Sequence, residues 1–300
     1  MIKLENFQAF LNSIKLCYSE ECQNKLPIIT DFPPSLFQDN LLNFSLLEKL
    51  TENTSNIYLA SVSKRVLGIL LIQESREEDT TLNLKKCWHY ISESIRLIPS
   101  EDTISSIGSQ GFLSIPLFKF MNDMSMFEFI RMHIWDKSLE KHIDQKASTN
   151  FSIHTHSFHA HSWIITGKIV NDRYIVTESE DTTPNIRFTI NYNKTLSKVN
   201  QHTSTASNDN IYVIPNQISH EVYMSGGSYQ IKAANYHNSG TEDEGDISAT
   251  FFCFTAKNGK VDTSYVVGPA EQQESEINRR VHIDPKYLLE KIEKKQTNLK

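Results

Sequence analysis

The sequence predicts a mainly β protein, its strands folded as a sandwich or jelly-roll barrel, with a helical N-terminal part before them and a helix after them. Three observations carry this. Apolar residues recur at three- and four-residue spacing through roughly the first 105 residues, the signature of amphipathic helices. After Gly108 the chain becomes a series of short runs rich in β-branched and aromatic residues, separated by turn formers, as in an all-β unit. Near the end, Asp284 can cap a helix opened by Pro285, with Leu288, Leu289 and Ile292 as its apolar edge.

Phe7, Phe10, Leu11, Ile14 and Cys17 place the first helix over about Leu4 to Gln23. Pro27, Pro33 and Pro34 interrupt the next stretch of chain. Leu46, Leu47 and Leu50 then suggest a short helix, ahead of the apolar run Val66 to Ile72, and Leu84, Trp88, Ile91 and Ile95 fit a helical period between Thr81 and Leu97. Nine strands are expected next: Phe127 to Trp135, Phe151 to His156, Trp163 to Val170, Arg173 to Thr177, Ile186 to Tyr192, Ile211 to Ile214, Ile218 to Met224, Tyr229 to Ala234 and Thr250 to Thr255. Asn171-Asp172, Ser225-Gly226-Gly227 and Asn258-Gly259 supply turns. Polar Gln201 to Asn210 and acidic Asn238 to Asp246 read as exposed loops. Lys291, Lys294 and Lys295 suit the last turns of the terminal helix.

Composition narrows the function. At 300 residues, 39% hydrophobic and 22% charged, the chain is globular, as one large domain or two unequal ones. A net charge of −6 lacks the basic excess of a nucleic-acid binder. The run Val66 to Ile72 is far short of the roughly 20 apolar residues of a membrane span. Lys3 and Glu5 break up what would be the apolar core of a secretory signal, so a soluble cytoplasmic protein is expected. Cys17, Cys22, Cys87 and Cys253 form no CxxC pair, which disfavours both a disulfide framework and a thiolate zinc site. GxSxG, Walker and Rossmann patterns are absent, so the acyl-transfer, nucleotide-hydrolysing and dinucleotide readings lose support.

The histidines are less evenly spread: His154, His156, His159 and His161 fall close together among eleven. On a strand, His154 and His156 project to one face and can share a metal ion; imidazole suits iron, zinc, copper and nickel. His220 is the candidate third ligand, a polar residue on the face of Ile218 and Val222 that needs a partner there. His159 has the wrong phase to join the pair, and His89, His142, His202 and His282 have no partners visible in sequence. Arg131 and His133 share a face with Phe127, Phe129 and Trp135; if that face lines the interior, Arg131 suits a substrate carboxylate, and otherwise it forms an ordinary surface salt bridge. Tyr236, His237, Tyr223 and Cys253 are candidates for the mouth or wall, where a tyrosine such as Tyr236 can donate a proton or orient dioxygen; packing is the alternative for each.

The stretch His154-Thr-His156-Ser-Phe-His-Ala-His161-Ser-Trp-Ile-Ile-Thr-Gly167 resembles the first cupin motif, and Pro215-Asn-Gln-Ile-Ser-His220 resembles the second, PxGxxH, with Gln217 in the glycine slot. The resemblance covers roughly Met121 to Pro269. It implies a cupin-like double-stranded β-helix, and with the helical patterns read before and after it the chain divides into a helical region over 1–107, the barrel over 108–270 and an extension with a helix over 271–300. His161 stands where many cupins carry a ligating glutamate, and Met224 where an asparagine is common. The implied site is therefore either four histidines, His154, His156, His161 and His220, or three with His161 beside them; the three-histidine set is similar to that of cysteine dioxygenase-type thiol dioxygenases.

The function expected is an Fe(II)-dependent dioxygenase acting on a small, acidic organic substrate, with zinc, nickel, copper and manganese as alternative metals. His161, Arg131 and Tyr236 are its candidate catalytic residues. The rival readings are a metal-dependent isomerase or lyase using His161 as a base, and a non-enzymatic cupin that binds a ligand or partner. No nucleic-acid or membrane partner is expected, and a homodimer is left open.

Overall fold

The computed structural model describes residues 2–107, 110–123, 125–143, 145–192, 199, 203–242, 247–278 and 283–298. The N-terminal stripe becomes α1 (Leu4–Lys15), burying Phe7, Phe10, Leu11 and Ile14. It ends well before Gln23 because Tyr18 leaves the helical path to form a bridge with Thr103, while Ser19 N–H donates to the Asp102 carbonyl. A small hairpin, β1 (Phe37–Gln38) and β2 (Leu41–Leu42), turns through Asp39 and Asn40 at positive φ. Three helices come after it: α2 (Phe44–Asn53), α3 (Ile57–Glu78) and α4 (Leu84–Arg96), each with an asparagine side chain, Asn43, Asn56 and Asn83, accepting from its first turn. The apolar run Val66 to Ile72 is the middle of α3, a 22-residue helix buried on several sides, so no single stripe marks its ends. Within it Arg65 is buried, its guanidinium stacked 4.0 Å from the Tyr18 ring and its Nε donating to Ser94 Oγ.

Strands fill the middle of the chain: β3 (Ser106–Ile107), β4 (Leu113–Met121), β5 (Phe127–Trp135) and, after the short α5 (Gln145–Asn150), β6 (Phe158–Thr166), β7 (Lys168–Glu178), β8 (Asn185–Tyr192) and β9 (Thr203–Met224). Then come β10 (Ser228–Ile231), β11 (Tyr236–Gly240), β12 (Ser248–Lys260), β13 (Tyr265–Pro269) and β14 (Glu274–Asn278). The terminal helix α6 (Lys286–Asn298) starts where expected, Asp284 accepting from Lys286 N–H. Two compact units divide the chain: Met1–Ile104, Pro116–Phe120 and Asp284–Glu290 form one, and Ser105–Ile115, Met121–Ile283 and Lys291–Lys300 the other. No described helix is long and apolar enough to cross a membrane.

The β unit holds two six-stranded sheets, one ordered β10-β6-β12-β5-β4-β3 and the other β11-β7-β9-β8-β13 with β14 also on β9. Ile169 of β7 packs with Trp135, Ala160, Ile164, Tyr229, Ile231 and Phe252 of the first sheet, so the sheets face each other across an apolar layer. Alternation then assigns directions: Phe129, Arg131, His133 and Trp135 of β5 point inward, as do Phe252 and Phe254 of β12.

Four expectations are corrected. Asn171-Asp172, expected as a turn, lies inside β7, and the strands expected at Trp163 to Val170 and Arg173 to Thr177 are divided at Gly167 instead. The described part of the loop expected over Gln201 to Asn210 belongs to β9, paired with β8 on one side and β14 on the other; ladder hydrogen bonds hold this Ser- and Thr-rich stretch and buried Ala206 anchors it. The strands expected at Ile211 to Ile214 and Ile218 to Met224 are its continuation. Phe151 to His156, expected as a strand, is an irregular segment held by isolated bridges. His202 and His282 lie outside the described residues.

Gly167 links β6 of one sheet to β7 of the other at φ +78°, where a β-carbon would collide with Ser248 Oγ and lie 2.8 Å from the Ile247 carbonyl oxygen. Gly167→Ala should therefore lower unfolding free energy by about 2 kcal/mol or more, from left-handed strain plus the clash. Urea denaturation of the two proteins checks this.

Candidate metal centre

The site is built from backbone pairing. His154 N–H donates to the His237 carbonyl at 2.9 Å and His237 N–H returns the bond at 3.0 Å, while His154 also bridges Val266 of β13. The segment around His154 thus lies between β11 and β13, and its side chain comes out beside that of His237. Ala234 N–H donates to the His156 carbonyl, fixing the second histidine against the turn that leads into β11.

In this arrangement one ring nitrogen from each of His154, His156 and His237 lies within 4.8 Å of the others. The Nε2 atoms of His154 and His156 are 3.1 Å apart. Two imidazoles bound to one ion at about 2.1 Å each, near a right angle, place their nitrogens roughly 3 Å apart. His154 Nδ1 is 2.8 Å from the Ser152 carbonyl and His237 Nδ1 is 3.4 Å from the Asn235 carbonyl. Those carbonyls select the tautomer that leaves Nε2 as a lone-pair donor, as ligating histidines require. Burial first, and then the neighbouring imidazoles, push His156 and His237 well below the usual histidine range. Neutral rings with converging lone pairs repel unless a cation or a proton sits between them, so the donor set fits a divalent transition metal. The Gln110 amide lies 2.9 Å from His154 Nε2 and borders the cluster.

Of the residues expected from sequence, His154 and His156 come together and His220 does not. The assumption that Ile218 and Val222 mark the inner face of β9 fails, because both are exposed, at 60% and 42%. His220 shares their solvent face, its Nδ1 2.7 Å from Asp172 Oδ1. The inner row is polar instead: Glu221 accepts from Asn171, Arg173 and Tyr223, and Ser219 donates to its other oxygen. Burial raises the Glu221 carboxyl, but these hydrogen bonds outweigh it and hold the group below its ordinary value.

His161 is buried with its ring stacked 3.8 Å from Trp163, opposite Cys253, on the face of β6 away from Ala160 and Ile164. That phase takes it out of the histidine cluster, and His159 shares it. Tyr236 also points away: it precedes His237 on β11, so its side chain takes the opposite face, and burial pushes its phenol up to about 12. Arg131 does face inward, its guanidinium 3.9 Å over Phe129 and 5.6 Å from Phe254, the ring against which His156 packs edge-on at 4.7 Å.

His237, which the sequence offers only for the mouth or wall, supplies the third ring. Its signal is the stretch Lys232-Ala-Ala234-Asn-Tyr-His237, which repeats the glycine-to-histidine spacing of PxGxxH; Ala234 takes the glycine slot and adopts φ +65°. An alanine in a left-handed position hides the turn.

No protein-family model matches the chain, and no curated protein matches it. Among solved structures, the chain is similar to the Fe(II) form of HppE, with 11% identity over 70% of this chain and 96% of that one at a TM-score of 0.25. It is similar to hydroxypropylphosphonic acid epoxidase from S. wedmorenis, with 12% identity over 71% and 95% at 0.26. CapF with the inhibitor 3-isopropenyl-tropolone gives 10% identity over 71% and 46% at 0.23. Likeness at this level leaves the reading of the site to its own geometry.

Alanine at His154, His156 or His237 should lower bound metal well below one equivalent per chain, whereas His220→Ala and His161→Ala should keep it. Elemental analysis of the purified proteins checks this, with circular dichroism confirming that the β fold persists.

Proposed function

We propose that the chain is a metal-dependent enzyme of cupin type, its β unit a jelly-roll barrel over 108–270 between a helical region and a C-terminal extension, and that it acts as an Fe(II)-dependent dioxygenase on a small acidic substrate in the cytoplasm. The observation that supports it most is the convergence of three histidines, His154, His156 and His237, beside an inward-facing Arg131. Bound Fe(II) with three neutral ligands would keep positive charge and open positions, and would supply the electrons that let O2 react. Both atoms of O2 enter the substrate in a dioxygenation, so no external reductant is required.

The protein's own part is placement. Arg131 would hold a substrate carboxylate through its planar fork, and Phe252 and Phe254 would exclude water around the reacting group. The backbone carbonyls of Ser152 and Asn235 would keep two imidazoles turned toward the ion. The isomerase reading assigns the proton transfer to His161, and that ring stacks on Trp163 on the other face of β6.

Protein loaded anaerobically with Fe(II) should consume O2 when offered small mercapto acids or aromatic acids, and His237→Ala should abolish the uptake. An oxygen electrode decides it. Zinc in the purified protein together with turnover that needs no oxygen would overturn the proposal.

A further inference from the structure

A fourth side chain reaches the histidine cluster from a different part of the fold. Gln110 stands in the hairpin turn between β3 and β4, and its amide nitrogen lies against the His154 ring, 2.9 Å from Nε2 and 3.0 Å from Nδ1. His154 Nδ1 donates to the Ser152 carbonyl at 2.8 Å, so of the two ring nitrogens only Nε2 can accept a hydrogen from the amide. That is the atom that stands 3.1 Å from His156 Nε2.

The turn is pinned close to the amide. After Gly111, at φ +81°, Phe112 stacks on His133 at 4.1 Å and lies 5.1 Å from Trp135, against the apolar layer between the sheets. His133 in turn stacks on Phe252 at 4.8 Å, and the Phe252 ring meets His156 edge-on at 6.0 Å. Gln110 thus comes to the cluster from the chain that feeds the first sheet, whereas the histidines belong to β11 and the segment paired with it.

A cation that takes the Nε2 lone pair removes the acceptor of the amide and repels its NH2 group. Half a turn about the last side-chain bond exchanges NH2 for the carbonyl oxygen, with no movement of the backbone. The amide then presents a lone pair to the ion. The spacing agrees: two donors bound to one ion at about 2.1 Å each, near a right angle, are roughly 3 Å apart, and His154 Nε2 keeps that distance from both His156 Nε2 and the amide.

We infer that Gln110 is a fourth protein ligand of the centre, bound through its amide oxygen. This rests on the reading of the histidine cluster as a metal site. It adds an uncharged oxygen donor, which takes a position that three histidines alone would leave to water.

Affinity alone does not separate a ligand from a hydrogen-bonding neighbour, since losing the neighbour already costs on the order of 10- to 100-fold. The number of waters on the ion does. With Mn(II) as a paramagnetic probe in the full-length chain, water-proton relaxivity should rise in Gln110→Ala by the contribution of one more bound water. Gln110→Glu keeps an oxygen at the same reach, so it should hold the wild-type relaxivity and bind Mn(II) more tightly. Electron–nuclear double resonance on wild-type protein made with glutamine carrying carbon-13 at Cδ should show a carbon coupled to Mn(II), and Gln110→Ala should lose it. The wild-type coupling decides the matter even if Gln110→Ala holds too little metal to measure. No carbon coupling in the wild-type chain overturns the inference, as does unchanged relaxivity in a Gln110→Ala protein that still holds its metal; the histidine reading survives either result. A His237→Ala protein that keeps its metal and its carbon coupling does the reverse. A wild-type chain that binds neither Mn(II) nor Fe(II) overturns both.

Discussion

The reciprocal pair of backbone hydrogen bonds between His154 and His237 is the constraint on which the site depends. These residues are far apart in sequence and neither sits in a long regular run: His154 belongs to an irregular segment and His237 to the five-residue β11. Each bond is worth only about 1 kcal/mol net. Together they fix separation and direction at once, because two residues that exchange both bonds in an antiparallel pair present their side chains on the same side. The third histidine comes two residues later, and the Ala234 N–H on the His156 carbonyl keeps it in reach.

The same pairing joins the segment around His154 to β11 on one side and to Val266 of β13 on the other. The histidines therefore stand where the segment around His154 pairs with both edge strands of one sheet, and the positions of β11 and β13 in turn depend on β7 and β8. Gly167 has a related role at the passage from β6 to β7, since only a residue without a β-carbon fits against Ser248 and the Ile247 carbonyl. Precision at the three imidazoles is thus a property of the sheets, and the carbonyls of Ser152 and Asn235 only set which ring nitrogen faces the centre.

Sheet β11-β7-β9-β8-β13 departs from the usual partition of polar and apolar residues. Its outer face over β7 and β9 exposes Ile175, Ile214, Ile218, Val222 and Met224, while its inner face carries Asn171, Arg173, Ser219, Glu221 and Tyr223. The inner polar groups are tolerable because they satisfy one another, and Glu221 sits at the centre with both oxygens engaged.

Local pattern marked some of the elements, because periodicity and turn chemistry act over a few residues: the stripe of α1 and the cap of α6 at Asp284 are readable from neighbouring side chains, whereas β4, β13 and β14 carry no such mark. The HxH pair was readable for the same reason, since two residues on an extended chain share a side. Where a residue's partner is remote, the sequence was silent or misleading. The Ser- and Thr-rich start of β9 is a strand because β8 and β14 supply its hydrogen bonds. His220 faces solvent because the inward side of β9 was set by packing against the opposite sheet, contrary to what Ile218 and Val222 imply. His237 enters the cluster through a turn in which Ala234 takes a conformation that glycine would have advertised. A one-residue change of phase sends a strand side chain to the other face, and only long-range pairing decides that phase.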